Sequence, residues 1–434
     1  MVLIQPFRAI RYAPERVDLA AVLAPPADDI DPAAARELYA REPRNAVRVV
    51  KNLPEADDAP GGPDRRAAFF LADWRRAGVL LQDEAPAFYL LRQTFPGAGG
   101  APVVRQGFFA AVELGADPAA VRAHERVDEA RVEGLAERLS ALGAQVDPLL
   151  LLHPDPEERV SRAFEVELER EADLRFTLAG GLHEVWVIDD ETTTARVSQL
   201  LVDAPLYIAD GHHRHRAARA FWQDRALAPG RFVLAFLCPA GGEGAQISSS
   251  HRVVTGLWDF DADAFLEAAE RTFTCHALVD DSDLDEMLLD LLEDRVAFGV
   301  EIPGRGRFVF ELSPAVSRAE LPLAEDDAFA DATVLERVVL EGVLGLEGAA
   351  LKERVLRVNG PNGGLSLPRP LEEGEIGFLL RPLPLARLFQ LADEGRLLPP
   401  KSTRFSGAQG DLGLKLPSGL VFADLHSALR ARDG

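Results

Sequence analysis

Apolar positions in this chain recur with a period near 3.6 in some stretches and near two in others, and each change of period marks an element boundary. Leu19 to Ala24 reads as a strand, Pro25-Pro26 with Asp28 and Asp29 as a turn, and Pro32 to Arg41 as a helix capped by Asp31. Ala46 to Lys51 reads as a second strand. The polar, Pro- and Gly-rich segment Glu55 to Arg65 is a loop before an amphipathic helix, Ala67 to Ala77. Strands follow at Ala87 to Leu91 and Val103 to Val112, joined by a hairpin connection over Gly97 to Pro102. A charged helix over Ala119 to Leu142 precedes Pro148 and the apolar run Leu149 to Leu152. Further strands are expected at Arg175 to Leu178, His183 to Ile188, Leu206 to Ala209, Phe232 to Cys238 and Gln246 to His251.

After Leu257 the alternation restarts. Helices are expected over Ala262 to Thr272, Asp283 to Leu292, Ala332 to Leu344 and Leu385 to Glu394. Strands are expected at Arg295 to Val300, Phe308 to Leu312 and Gly374 to Leu380, before a loop-rich closure from Lys401 to Phe422. Strands and helices in mixed order predict an α+β protein with mixed sheets and flanking helices. The change of pattern suggests an N-terminal domain over 1–256 and a second α/β domain over 257–434.

A chain of 434 residues that is 47% hydrophobic exceeds what a single core usually serves, which favours more than one domain. No stretch reaches the roughly 20 apolar residues of a membrane span, and no signal peptide opens the chain, so a cytoplasmic protein is expected. Its net charge of −23 disfavours non-specific binding to nucleic acid or anionic lipid and favours a small-molecule partner. Cys238 and Cys275 are too few for a disulfide framework or a Cys-based zinc site. Lys51, Lys352, Lys401 and Lys415 are the only lysines, so arginine supplies nearly all the positive charge. A retained lysine can mark a place that needs a compact ammonium.

Candidate chemistry concentrates in Asp210-Gly211-His212-His213-Arg214-His215-Arg216, at a strand-to-helix junction. Unpaired N–H groups at the start of such a helix attract an anion, usually a phosphate. The Gly211 backbone, His212 and His213 as donors, and Arg214 and Arg216 as planar forks would make a phosphate cradle. The alternative is a solvated basic helix face. A zinc site on His212, His215 and Asp210 is a rival reading, and magnesium carried by a nucleotide needs fewer protein ligands. Asp28 and Asp29 follow a rigid Pro-Pro turn, where either could hold magnesium or accept a proton, or be an ordinary turn aspartate. His124-Glu125 and Ser248-Ser249-Ser250-His251-Arg252 are further candidates. Pro399-Pro400-Lys401-Ser402-Thr403, followed by Lys415-Leu416-Pro417-Ser418-Gly419, has the content of a phosphate-contacting loop without P-loop order, and a structural hairpin is its alternative.

With these motifs the sequence resembles a bacterial and archaeal family, the domain-of-unknown-function family numbered 1015, from Pro6 to Phe422. The marks are Pro6-Phe7-Arg8-Ala9, Ala24-Pro25-Pro26 with Asp28, His124-Glu125, Ala209 to Arg214, His251-Arg252-Val253-Val254, Pro399 to Thr403 and Lys415 to Leu420. It departs from the family pattern at Ala27 and Arg404, which replace aromatics, at Arg126 to Ala130 and at Ser248 to Ser250. Asp210 to Ala218 is also similar, more distantly, to the second box of ParB partition proteins, sulfiredoxin and ParB-like free-serine kinases. That resemblance implies a ParB/sulfiredoxin-like nucleotide-binding core and a phosphotransferase acting on a small hydroxyl metabolite such as serine.

The cofactor so implied is a nucleoside triphosphate or diphosphate (ATP, ADP or CTP) with magnesium. Gly211, His212, His213, Arg214, Arg216, Ser402 and Thr403 would bind it. Asp28, Asp210, His212 and Lys401 would serve catalysis, with Asp28 on the metal. Two alternatives remain: a nucleotide-binding or hydrolysing switch, working as a homodimer or with a closing surface, and a metal-dependent phosphatase.

Overall fold

A computed structural model of the chain describes residues 2–96, 101–115, 118–223, 232–242, 245–279, 283–291, 295–360, 364–405 and 416–425. Two compact units are present: the first comprises 1–122, 127–245 and 412–434, and the second 123–126 and 246–411. This differs from the expected division at 256/257. Strand Ser250–Val254 pairs with Val355–Asn359 and Ile376–Leu379, so the second unit already begins at 246, and the C-terminal strand Phe422–Asp424 returns to the first. A chain that leaves a sheet and comes back gives no composition signal at the crossing.

The first unit is built on a nine-stranded sheet. Its order runs Val121–Arg122, Leu206–Asp210, Leu149–His153, Phe232–Pro239, Pro102–Glu113, Phe88–Pro96, Gly181–Ile188, Leu174–Leu178, with Ile4–Gln5 also paired to Pro102–Glu113. The pairing is mixed: Leu149–His153 runs parallel to Phe232–Pro239 and antiparallel to Leu206–Asp210. Leu149–His153 is buried at every position, as a strand covered on both faces must be. A four-stranded sheet of Leu80–Gln82, Ala9–Tyr12, Phe422–Asp424 and Ala144–Gln145 completes the unit. Buried Gln145 ties the two sheets together, donating to the Phe232 carbonyl and accepting from Leu234 N–H.

Two expected strands are short helices instead, Leu19–Val22 and Val47–Val50. Side-chain capping decides both. Asp18 accepts from Ala20 N–H, and fully buried Asn45 accepts from Val47 N–H while donating to the carbonyls of Ala21 and Leu23. The charged helix starts later than expected, Glu129–Leu142, because Asp128 caps it, and it ends where expected, at Gly143 in a left-handed turn. The expected strands over 87–91, 103–112, 149–152, 175–178, 183–188, 206–209 and 232–238 are all present.

The second unit is an antiparallel six-stranded sheet: Phe273–Ala277, Gly306–Leu312, Ala297–Ile302, Ile376–Leu379, Ser250–Val254, Val355–Asn359. Phe273, Phe298, Phe310 and Phe378 pack through its core, Phe298 meeting Phe273 and Phe378 edge to face. The helix expected over 332–344 forms as one α-turn, Asp331–Val334, that widens into a π-helix over Leu335–Val343. A mixed sheet in the first unit and an antiparallel one in the second, each with flanking helices, make this an α+β protein. Among the described residues, no helix is long and apolar enough to cross a membrane.

Candidate functional site

In the first unit, Leu206–Asp210 enters beside Leu149–His153 with a register irregularity between Ile208 and Asp210 that skips Ala209, and Asp210, paired with Leu150 at the end of the strand, is exposed. Gly211 follows at φ 103°, and a Cβ there would lie 2.8 Å from the Leu149 side chain. Only glycine fits that turn. Helix His212–Gln223 starts at once, its first turn closed by His215 N–H to the Gly211 carbonyl at 2.8 Å.

Because the two strands are antiparallel, the chain entering Leu149–His153 lies beside the end of Leu206–Asp210, which brings Asp147 and Pro148 to the motif. Arg214 donates to the Pro148 carbonyl and pairs with Asp210. Burial works against its charge, but Asp210, Asp147 and Asp28 together outweigh burial and raise its pKa. Ser418 Oγ donates to Asp147 at 2.8 Å, and Ser418 forms a two-bond bridge with Ala24, at the head of the Pro-Pro turn. Asp28 pairs with Arg131 on the neighbouring helix, and Lys51 Nζ donates to the adjacent Ala27 carbonyl at 3.2 Å. Four segments distant in sequence, 24–28, 147–148, 210–214 and 416–419, therefore form one network.

The histidines divide by role. His213 Nε2 accepts from Asp128 N–H at 3.0 Å, which puts its ring proton on Nδ1. His212 and His215 are buried. Burial, with Arg219, His212 and Arg216 nearby, pushes His215 down to about 3, so it is neutral, and its Nε2 is buried without a partner. Arg216 is exposed and 3.8 Å from Glu129. Between helices Glu129–Leu142 and His212–Gln223 lies a cavity of about 50 Å³, walled by Leu135, Leu139 and Ala217 and also by Arg138, Asp147 and Arg214. The open side of the site is the helix start and its carboxylates.

The second unit gathers the remaining motifs. His124-Glu125 docks there through a bridge to Leu398, and Arg126 pairs at 2.7 Å with Asp327, which is 1% exposed. Thr403 Oγ accepts from His124 Nε2 at 2.8 Å and donates to Glu125 at 2.7 Å. Ser402 Oγ donates to the Pro399 carbonyl. Both hydroxyls expected to contact phosphate thus hold the turn itself. His251 is a structural residue: Nδ1 accepts from Leu380 N–H, Nε2 meets the Gly364 carbonyl, and burial with Arg252 beside it pushes it down to about 4. Arg252 is pushed down to about 10 by burial, with Arg357 acting in the same direction and Glu336 and Glu125 against it. Lys415 lies outside the described residues.

Asp28, Asp210, Gly211, His212, His213, Arg214 and Arg216 thus belong to the first unit, and Lys401, Ser402 and Thr403 to the second. Asp147 and Arg131 complete the first site and were not expected there, and it is joined by Ser418, from the segment with phosphate-loop content, and by Lys51, one of the rare lysines. For Asp147 a signal existed, a carboxylate directly before a proline at the mouth of a fully apolar strand. Among the described residues, no group of three or more His, Cys, Asp or Glu side chains is gathered to hold a metal, so the zinc reading has no ligand set there.

Fold and site together define a two-unit α+β protein with a carboxylate-rimmed helix start in one unit and a lysine-bearing turn in the other. The chain belongs to the family described as Protein of unknown function (DUF1015), whose model matches residues 4–328, as the sequence motifs had suggested. Among the curated proteins none matches. Among solved structures, similar ones include a free serine kinase mutant in complex with ADP, at 12% identity and TM-score 0.36, covering 71% of this chain and 92% of that one. Truncated SbnI from Staphylococcus aureus is similar at 15% identity and TM-score 0.34, covering 69% and 84%. A conserved hypothetical protein from Pyrococcus furiosus is similar at 13% and 0.34, covering 71% and 95%. At these values the residues of the site have to carry the functional reading.

Proposed function

We propose that this protein is a nucleotide-dependent phosphotransferase acting on a small hydroxyl metabolite, with a serine-like amino acid as the first compound to test. What supports the reading is one observation: Asp210 pairs with Arg214 at the start of the helix that follows Gly211, and the charges of Asp147 and Asp28 also act on Arg214. A helix start offers N–H groups to phosphate oxygens, and carboxylates beside it suit a magnesium ion that takes its other ligands from phosphate and water. Bound magnesium would offset the charge of the phosphates.

In this proposal Gly211 allows the close backbone approach, and His212, His213 and Arg216 face the phosphates. Arg214 holds Asp210 and the strand entry in place. Asp28 accepts the proton of the substrate hydroxyl or ligates the metal. Positioning and fixed charge are most of what phosphoryl transfer requires of a protein.

Titration calorimetry with ATP, ADP and CTP, each with magnesium, tests the binding half. One of them should bind, and Gly211→Ala, which forces a side chain into the turn, should weaken it at least about tenfold. Asp28→Asn should lower turnover at least about a hundredfold and change nucleotide affinity little. Binding of none of the three nucleotides would overturn the reading.

A further inference from the structure

Lys401 adopts a backbone conformation that lysine seldom takes, with φ at 58°. A left-handed non-glycine residue costs about 1 kcal/mol or more and persists only where its surroundings hold it. Here they hold it on both sides. Lys401 N–H donates to Glu125 Oε2 at 2.9 Å, and Thr403 N–H donates to Glu125 Oε1 at 2.9 Å. The Lys401 carbonyl accepts from Ser250 Oγ at 3.2 Å and from the Arg252 guanidinium at 3.3 Å. Glu125 is in turn fixed by the bridge to Leu398 and by Arg126 on buried Asp327. N–H groups converging from a left-handed turn form a nest that binds an anion, and in this turn the anion is the protein's own carboxylate.

A plain turn would not need a lysine at this position, since glycine or asparagine takes the same φ at lower cost. The lysine side chain is exposed, and among the described residues its ammonium has neither a hydrogen bond nor an ion pair. It is also one of only four lysines. Three segments distant in sequence thus fix the backbone of a residue whose charged end is left open.

We propose that Glu125 is a positioning residue: its carboxylate occupies the anion place of the Lys401–Thr403 turn and thereby holds the Lys401 ammonium open for a polyphosphate ligand. This rests on the reading of the protein as one that handles nucleotide phosphates, but it can be tested without turnover.

The test is competitive labelling of the full-length protein with an amine-acylating reagent, with and without inorganic tripolyphosphate, read lysine by lysine by peptide mass spectrometry. In the parent, tripolyphosphate should slow acylation of Lys401 at least about fivefold and leave Lys352 unaffected. In Glu125→Gln, which keeps the size and loses the charge, protection should fall below about twofold while the thermal midpoint is kept. Should Glu125→Gln not fold, Ser250→Ala loosens the same lysine from its carbonyl side and should reduce the protection too. No protection in the parent, or equal protection in the parent and in the folded variants, would overturn the proposal. A failure to find any phosphorylated product would sink the kinase reading and leave this protection intact, so the two failures are distinguishable.

Discussion

Arg214 shows how far a motif can be read from residue types alone. Its place beside Gly211 was legible, because Asp-Gly before a basic helix start is a specific arrangement. The direction of its guanidinium was not, because that is set by Pro148, a residue brought alongside only by antiparallel pairing. Arg214 therefore has a framework role, and Arg214→Ala should lower the free energy of unfolding by about 2 kcal/mol, since Asp210 and the Pro148 carbonyl lose a charged donor. Urea unfolding checks this. A variant of unchanged stability with reduced nucleotide affinity would instead place Arg214 on the ligand. Ser402 and Thr403 carry the same lesson, since hydroxyls that suit a phosphate suit a turn equally well.

At the scale of elements, periodicity identified the long strands and helices and failed where capping overrides it. The Val-rich segment after Asn45 has strand composition, and one buried amide turns it into a helix that supports the Asp28 turn. Elements here are also joined by buried neutral histidines. His251 couples strand Ser250–Val254 to Leu380 and Gly364, and burial together with Arg252 puts it at about 4. His183, between strands of the first sheet, is lowered to about 4 by burial, with Arg105 nearby. Unfolded histidine titrates near 6.5, so as the pH falls from about 6.5 to about 4 the unfolded chain takes up protons that these sites refuse, and stability declines. Each site costs on the order of 3 kcal/mol by pH 4. Chemical unfolding across this window should give a shallower decline for His251→Gln than for the parent, and equal slopes would contradict it. Gly419, at φ 94° with a would-be Cβ 2.6 Å from the Ala46 side chain, holds the turn that presents Ser418. Gly419→Ala should therefore cost about 1–3 kcal/mol of stability by the same assay, and a neutral result would show that the turn relaxes freely.

For the whole molecule, the α+β class was readable from the mixed order of elements, and the division into units was not. Residues 123–126 belong to the second unit and 412–434 to the first, which no local pattern announces. In the proposed function the acidic total favours a small ligand, and the network of Asp28, Asp147, Asp210 and Arg214 would hold the magnesium of a nucleotide. The most direct measurement is product detection: purified protein incubated with magnesium, ATP, ADP or CTP and a panel of hydroxyl amino acids and related metabolites, followed by phosphorus NMR and mass spectrometry. The account predicts a nucleotide-dependent phosphomonoester from at least one hydroxyl compound, present with the parent and reduced at least about a hundredfold with Asp28→Asn. Nucleotide binding with no phosphorylated metabolite across the panel, or equal product from parent and variant, would contradict it.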